Sequence, residues 1–77
     1  MYNEEQIGAI FKAIGVEPDE NIAVTTASGI VLVPKAYISE RLYMVDVTTG
    51  KNITDQYLLP VLRGTFKARR LRTEDAA

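Results

Sequence analysis

Apolar residues recur at the helical period near the start of the chain. They are spaced i, i+3, i+4 and i+7, which places them on one face of a helix. The stripe consists of Ile7, Ile10, Phe11 and Ile14. Asn3 and Gln6 have the spacing of a capping box, and Gly15 suits the left-handed residue that ends many helices. The pattern therefore predicts a helix over residues 3–14.

The next segment alternates and then becomes continuously apolar. Residues 21–26 carry apolar side chains at every second position, a short turn occupies residues 27–29, and residues 30–33 are all apolar. This order is typical of a β-hairpin, and the apolar run predicts that both faces of its second strand are covered. Pro34 is expected to stop that strand. Residues 35–40 fit either one helical turn or a loop.

A second hairpin is predicted further along the chain. Residues 41–47 are strand-like, residues 52–54 form the returning segment, and Gly50 suits the left-handed residue of the turn between them. Leu42 and Met44 are expected to project from one face of this hairpin, and Tyr43, Val45 and Val47 from the other. Because both faces then carry apolar side chains, Leu42 and Met44 are candidate contacts with a partner or a second copy of the chain.

A short second helix is expected after this hairpin, although Pro60 interrupts its pattern. Thr54 and Asp55 are candidate caps, and apolar residues follow them. Pro60 lacks an amide donor in the second turn, so the helix is expected to be short, kinked or shifted. Gly64 is expected to end it. Residues 65–72 fit either a last strand or an extended arm.

These elements together predict an α+β fold in one small domain over residues 1–72. It comprises an N-terminal helix, two β-hairpins forming an antiparallel sheet, a short second helix and a basic C-terminal arm or strand. Residues 73–77 are expected to be a frayed tail. The 77 residues are 47% hydrophobic and 25% charged, which is ordinary for a globular domain. A thin core and strands that are apolar on both faces favour a homodimer.

Residue types that many enzymes require are missing. The chain has no Cys and no His, so it lacks a disulfide, a thiolate and the usual near-neutral acid–base group. Its adjacent acid pairs, Glu4–Glu5 and Asp19–Glu20, lie at expected element ends, and its glycines form no phosphate-binding loop. We therefore expect no enzymatic activity, no metal and no cofactor. Without a signal peptide or an apolar run near ~18 residues, the expected compartment is the cytoplasm.

Charge is distributed unevenly along the chain. Residues 1–34 carry one lysine and five acids, a net charge of −4, whereas residues 63–77 carry five cations and two acids, a net charge of +3. The basic segment and its aromatic ring supply the remaining candidate partner-binding residues, which are Arg63, Phe66, Lys67, Arg69, Arg70 and Arg72. These residues fit contact with an acidic protein surface, contact with nucleic-acid phosphates, or pairing with the acidic front of the same chain.

One segment has a family resemblance. Residues 45–54, Val-Asp-Val-Thr-Thr-Gly-Lys-Asn-Ile-Thr, are followed by Leu58 and Leu59. This run resembles part of the DNA-binding domain of polyhydroxyalkanoate accumulation regulators. The resemblance is confined to this segment and its turn chemistry is generic, so no functional residue is carried over from it.

The expected function is that of a small non-enzymatic regulator, inhibitor or adaptor that docks on a protein partner. The first alternative is a nucleic-acid-binding regulator that uses residues 63–72. The second is a structural subunit of a larger assembly, such as a virion. The profile also fits an accessory protein encoded by a phage or a mobile element.

Overall fold

The computed structural model describes residues 2–71, which form two helical segments and one four-stranded sheet. Their bounds are α1 Glu4–Ile14, β1 Ile22–Thr26, β2 Val31–Ile38, β3 Met44–Asp46, α2 Leu59–Leu62 and β4 Phe66–Arg70, with a π-helical turn over Thr54–Leu58 immediately before α2. The sheet is antiparallel, in the order β3-β2-β1-β4. The predicted α+β fold is confirmed. Across the described residues no helix has the length and apolar character needed to span a membrane.

Helix α1 is capped as its sequence predicts. The side-chain oxygen of Asn3 accepts the Gln6 amide at 2.8 Å, and the side-chain oxygen of Gln6 accepts the Asn3 amide at 2.9 Å. Gly15 ends the helix with φ 85°, and its amide donates to the carbonyl of Phe11. Both ends are therefore fixed by local chemistry, and the apolar stripe between them packs against the core cluster.

Strand β2 continues through Pro34 to Ile38, so the predicted stop at Pro34 is wrong. On β1 Ile22 and Val24 are two residues apart, but their partners on β2, Ala36 and Val33, are three apart. The extra residue makes a β-bulge at Pro34, where a ladder hydrogen bond is not needed. Residues 35–38 are accordingly strand, not the helical turn or loop that the sequence suggested.

The apolar run before Pro34 is also less covered than expected. Ile30 is 63% exposed and Val31 is 46% exposed, whereas Val33 is buried. Ile30 lies in the turn of the first hairpin, and Val31 pairs with Thr25 on the sheet face that carries no helix. The prediction that both faces of this strand are covered is therefore wrong for its first two residues.

The second hairpin turns where predicted. Gly50 has φ 72°, and its amide donates to the carbonyl of Asp46 at 2.7 Å. The amide of Asp46 in turn donates to the carbonyl of Lys51, and Val45 forms a bridge with Asn52. The paired region is shorter than predicted, because regular strand β3 covers only three residues.

The interruption expected at Pro60 takes the form of a π-helical turn. The amide of Leu59 donates to the carbonyl of Thr54, five residues back. Pro60 then falls in the first turn of α2, where a missing amide costs little. Thr54 does not cap the helix through its side chain; its hydroxyl oxygen accepts the amide of Met44 at 2.9 Å and ties the turn to β3. Gly64, with φ 83°, follows the end of α2 as expected.

The core lies on one face of the sheet, beneath the helices. Its largest fully buried side chains are Ile22, Val24, Ile38, Met44 and Leu58. Successive side chains of a strand point to opposite faces, so Ala23 and Thr25 belong to the other face of β1. Their absence from the core cluster agrees with this division. The sheet therefore has a covered inner face and an outer face on which no described helix packs.

The basic segment is a strand over Phe66–Arg70. All five residues pair with β1, from Thr26 opposite Phe66 to Ile22 opposite Arg70. The alternative of an extended arm is therefore wrong for these residues. Arg72 and the tail predicted over residues 73–77 lie outside the described part of the chain.

Candidate docking surface along strand β4

Strand β4 is one edge of the sheet and, among the described residues, pairs only with β1. Two backbone hydrogen bonds show which residues of β4 direct their backbone groups towards β1. The amide of Leu71 donates to the carbonyl of Asn21, and the amide of Thr26 donates away from β4, to the carbonyl of Ile30. In an antiparallel pair the bonded residues alternate. The backbone groups of Lys67 therefore face β1.

The same alternation directs a second set of backbone groups outward. The amides and carbonyls of Phe66, Ala68 and Arg70 point away from β1, towards the open edge. A strand edge of this kind presents a row of hydrogen-bonding groups to another extended chain.

An open groove of about 660 Å³ runs along this edge, between β4 and the helices. Its floor is largely apolar and includes Ile10, Ile14, Val61, Leu62, Phe66 and Ala68. The described residues that line it include two charged ones, Arg63 and Lys67, and no acid. Lys67 lies opposite Thr25, so its side chain leaves the rim of the groove on the outer face of the sheet. The β4 groove therefore combines apolar surface, positive charge and an open strand edge.

Phe66 joins the groove to the core. Its ring centroid lies 6.0 Å from that of Tyr57, with the ring planes tilted by 34°. The ring is half-buried and packs against the core cluster. Aromatic pairs of this kind add about 0.5–1.5 kcal/mol beyond the area that they bury. Phe66 is therefore a structural support of the groove as well as part of its lining.

The structure brings together three of the predicted partner-binding residues, Arg63, Phe66 and Lys67, which all line the β4 groove. Arg69 lies on the outer face of the sheet, opposite Ala23, and its guanidinium donates to the carbonyl of Arg70 at 3.4 Å.

Arg70 is engaged within the chain. Its Nε atom lies 3.0 Å from Oε1 of Glu20, and its Nη2 atom lies 4.0 Å from Oε1 of Glu17. For this residue, pairing with the chain's own acidic front is the interpretation that the structure supports. The two cations of the groove, Arg63 and Lys67, are the stronger candidates for contact with a partner.

Leu42 and Met44 are not surface residues. Met44 is completely buried and Leu42 is only 6% exposed, and both belong to the core. Their assignment as candidate partner contacts is corrected for this reason. Met44 pairs with Ile38 of β2, so its face of the hairpin is the one beneath the helices. The homodimer stays a prediction, but these two residues no longer support it.

The outer face of the sheet is a second surface. Tyr37 and Val45 pair across β2 and β3 and are half-buried there, while Val31 is exposed. Lys35, in the bulge opposite Ala23, is exposed on the same side. Sequence reasoning did not place Lys35 and Tyr37 on this face because it assigned residues 35–40 to a helical turn or a loop. The β-branched and aromatic residues around Pro34 were the signal that could have found them.

The described residues contain no group of three or more carboxylates arranged to hold a metal ion. No family model matches the chain, and neither the curated proteins nor the solved structures contain a significant match to it. The function must therefore be inferred from these two surfaces.

Proposed function

We propose that this protein is a small non-enzymatic regulator, inhibitor or adaptor that docks on a protein partner through the β4 groove. The observation that carries the proposal is the composition of that groove. Apolar side chains form much of its floor, both charged residues among its described lining are cations, and it follows a strand edge with which no further described strand pairs.

This combination suits a protein partner with an acidic and apolar surface. Burial of apolar surface is the dominant favourable term in most protein–protein association. Charges at its rim mainly guide encounter and reject unsuitable partners. The apolar floor, with Leu62 partly exposed, and the cations Arg63 and Lys67 meet both requirements.

A nucleic-acid-binding regulator is the second candidate, and the outer face of the sheet favours it. Lys35, Lys67 and Tyr37 lie on that face, where cations could contact phosphates and the ring could stack on a base. The exposed Val31 beside them and the chain's net charge of −1 favour a protein partner over a nucleic acid.

Affinity capture with matched variants separates these candidates. The groove variant is Arg63→Ser with Lys67→Ser. The control is Lys12→Ser with Lys51→Ser, which removes the same charge from exposed positions outside the groove. The sheet-face variant is Lys35→Ser with Tyr37→Ala. Each is immobilised in lysate with and without nuclease, and the bound proteins are identified by mass spectrometry.

We expect a protein that survives nuclease, is retained by the control and the sheet-face variant, and is lost with the groove variant. Loss of all binding on nuclease treatment, together with loss in the sheet-face variant, would instead establish nucleic acid as the partner. Equal capture by the groove variant and its control would show that the groove is not the docking site.

A further inference from the structure

We infer that the partner contributes an extended segment that adds to β4 as a fifth, antiparallel strand, like the other strands of the sheet, with acidic and apolar residues alternating along it. This inference rests on the proposed docking at the β4 groove and specifies its mode. It follows from which backbone groups of β4 point outward and from the side chains that β4 carries on the inner and outer faces of the sheet.

The backbone of β4 is set to receive such a strand. The outward groups of Phe66 and Ala68 are two residues apart, which is the spacing at which an added strand makes its bonds. Strand addition obtains affinity from these main-chain bonds and specificity from alternate side-chain pockets. The helices α1 and α2 provide the opposite wall of the groove, so an added strand would be enclosed on its inner side.

Successive side chains of the added strand would point to opposite faces of the sheet, and this alternation determines its sequence pattern. A residue directly opposite Ala68 would bond to its backbone and place its side chain on the inner face, over Ile10 and Ile14 of the groove floor. That position requires an apolar side chain. Its neighbours in the segment would stand on the outer face, opposite Lys67, where an acidic side chain gains a cross-strand partner. Arg63 adds positive charge at one end of the groove.

A second copy of this chain fits the same edge poorly. Antiparallel pairing of two β4 strands would bring Lys67, Arg69 and Arg70 of one copy close to the same residues of the other. Like charges placed across a strand pair are destabilising, and cations on an edge strand are a common protection against self-pairing. Charge complementarity therefore selects an acidic segment of a partner.

The test uses a short synthetic peptide that alternates Glu and Val, titrated into the intact protein. Two derivatives differ only in the edge that carries N-methyl groups: one is methylated at every Val, the other at every Glu. The Val amides are the ones expected to bond β4, because Val belongs on the inner face. A Lys–Val peptide is the control for charge. Binding is measured by calorimetry, and amide hydrogen exchange is followed by NMR.

We expect the parent peptide and its Glu-methylated derivative to bind with similar affinity. The Val-methylated derivative should bind at least about tenfold more weakly, since it loses its main-chain bonds to β4, and the Lys–Val peptide should not bind. In the free protein the amides of Phe66 and Ala68 should exchange faster than that of Lys67. Bound peptide should slow the hydrogen exchange of the Phe66 and Ala68 amides.

Several results would overturn the inference. These are no binding of the parent peptide, equal binding of the two methylated derivatives, or slowed exchange at Tyr37 without change at Ala68. Protection of Ala68 that rises with protein concentration alone, with a mass near twice 8.5 kDa, would show that a second copy occupies the edge. If lysate capture still depends on Arg63 and Lys67, docking at the groove survives and only strand addition is lost.

Discussion

Arg70 and Glu20 form an ion pair between the end of β4 and the loop that precedes β1, with 3.0 Å between Nε and Oε1. The contact separates two roles within the basic segment. Arg70 holds the strand against the acidic front of the chain, while Arg63 and Lys67 line the β4 groove. Cations that form one basic segment in the sequence therefore have different positions and contacts in the structure.

The strength of this pair can be measured with a double-mutant cycle of Arg70→Ser and Glu20→Gln. The Arg70 side chain is more than half exposed, so we expect a coupling free energy under about 1 kcal/mol that shrinks as salt is added. Urea denaturation of the wild type, the two single variants and the double variant, each at two salt concentrations, gives this coupling free energy. A much larger coupling, independent of salt, would mean that the pair is more strongly shielded from solvent than its exposure indicates.

Met44 and Tyr43 are adjacent in the second hairpin but differ in burial, so their substitutions should differ greatly in cost. Met44→Ala should lower the free energy of unfolding by about 2–5 kcal/mol, because it leaves a cavity in the core. Tyr43 is 52% exposed, so Tyr43→Ala should cost far less, within about 1 kcal/mol. Chemical denaturation of both variants checks this contrast. A larger cost for Tyr43→Ala than for Met44→Ala would place the hairpin the other way round, and similar costs would contradict the difference in burial between the two residues.

Local chemistry made some elements predictable from the sequence. Asn3 and Gln6, which cap α1, are three residues apart in the sequence. The Gly50 turn is closed by a hydrogen bond to Asp46, four residues away. The course of β2 was not predictable in the same way. Pro34 is tolerated because of a bulge, and that bulge depends on the pairing of β2 with β1, which only the folded sheet determines.

The turn at Gly50 offers a prediction with an internal control. At both Gly50 and Gly8 an added Cβ would meet nothing within 4 Å, so space does not distinguish them. Gly50 has φ 72°, whereas Gly8 lies inside α1. Gly50→Ala should therefore destabilise by roughly 1 kcal/mol, while Gly8→Ala should stabilise by roughly 0.5–1 kcal/mol.

The two unfolding midpoints in urea should accordingly move in opposite directions. An unchanged midpoint for Gly50→Ala would show that the left-handed conformation at this turn is not required.

The candidate site was only partly accessible to sequence reasoning. The basic residues Arg63 and Lys67 were identified from charge alone. Their separation from Arg70 depends on strand alternation and on the position of Glu20 in space. Leu42 and Met44 were misassigned because a strand's pattern shows that its two faces differ without showing which face the helices cover.

The central claim is that Arg63 and Lys67 dock an acidic protein partner in the β4 groove. Its most direct test is the affinity of the captured partner for the wild type, for Arg63→Ser with Lys67→Ser, and for the control Lys12→Ser with Lys51→Ser, each at low and high salt. We expect the wild type and the control to bind alike and to weaken together as salt is added, because charged contacts are screened. The groove variant should bind more weakly at low salt and respond less to salt. Equal affinity and equal salt dependence in all three proteins would contradict the account.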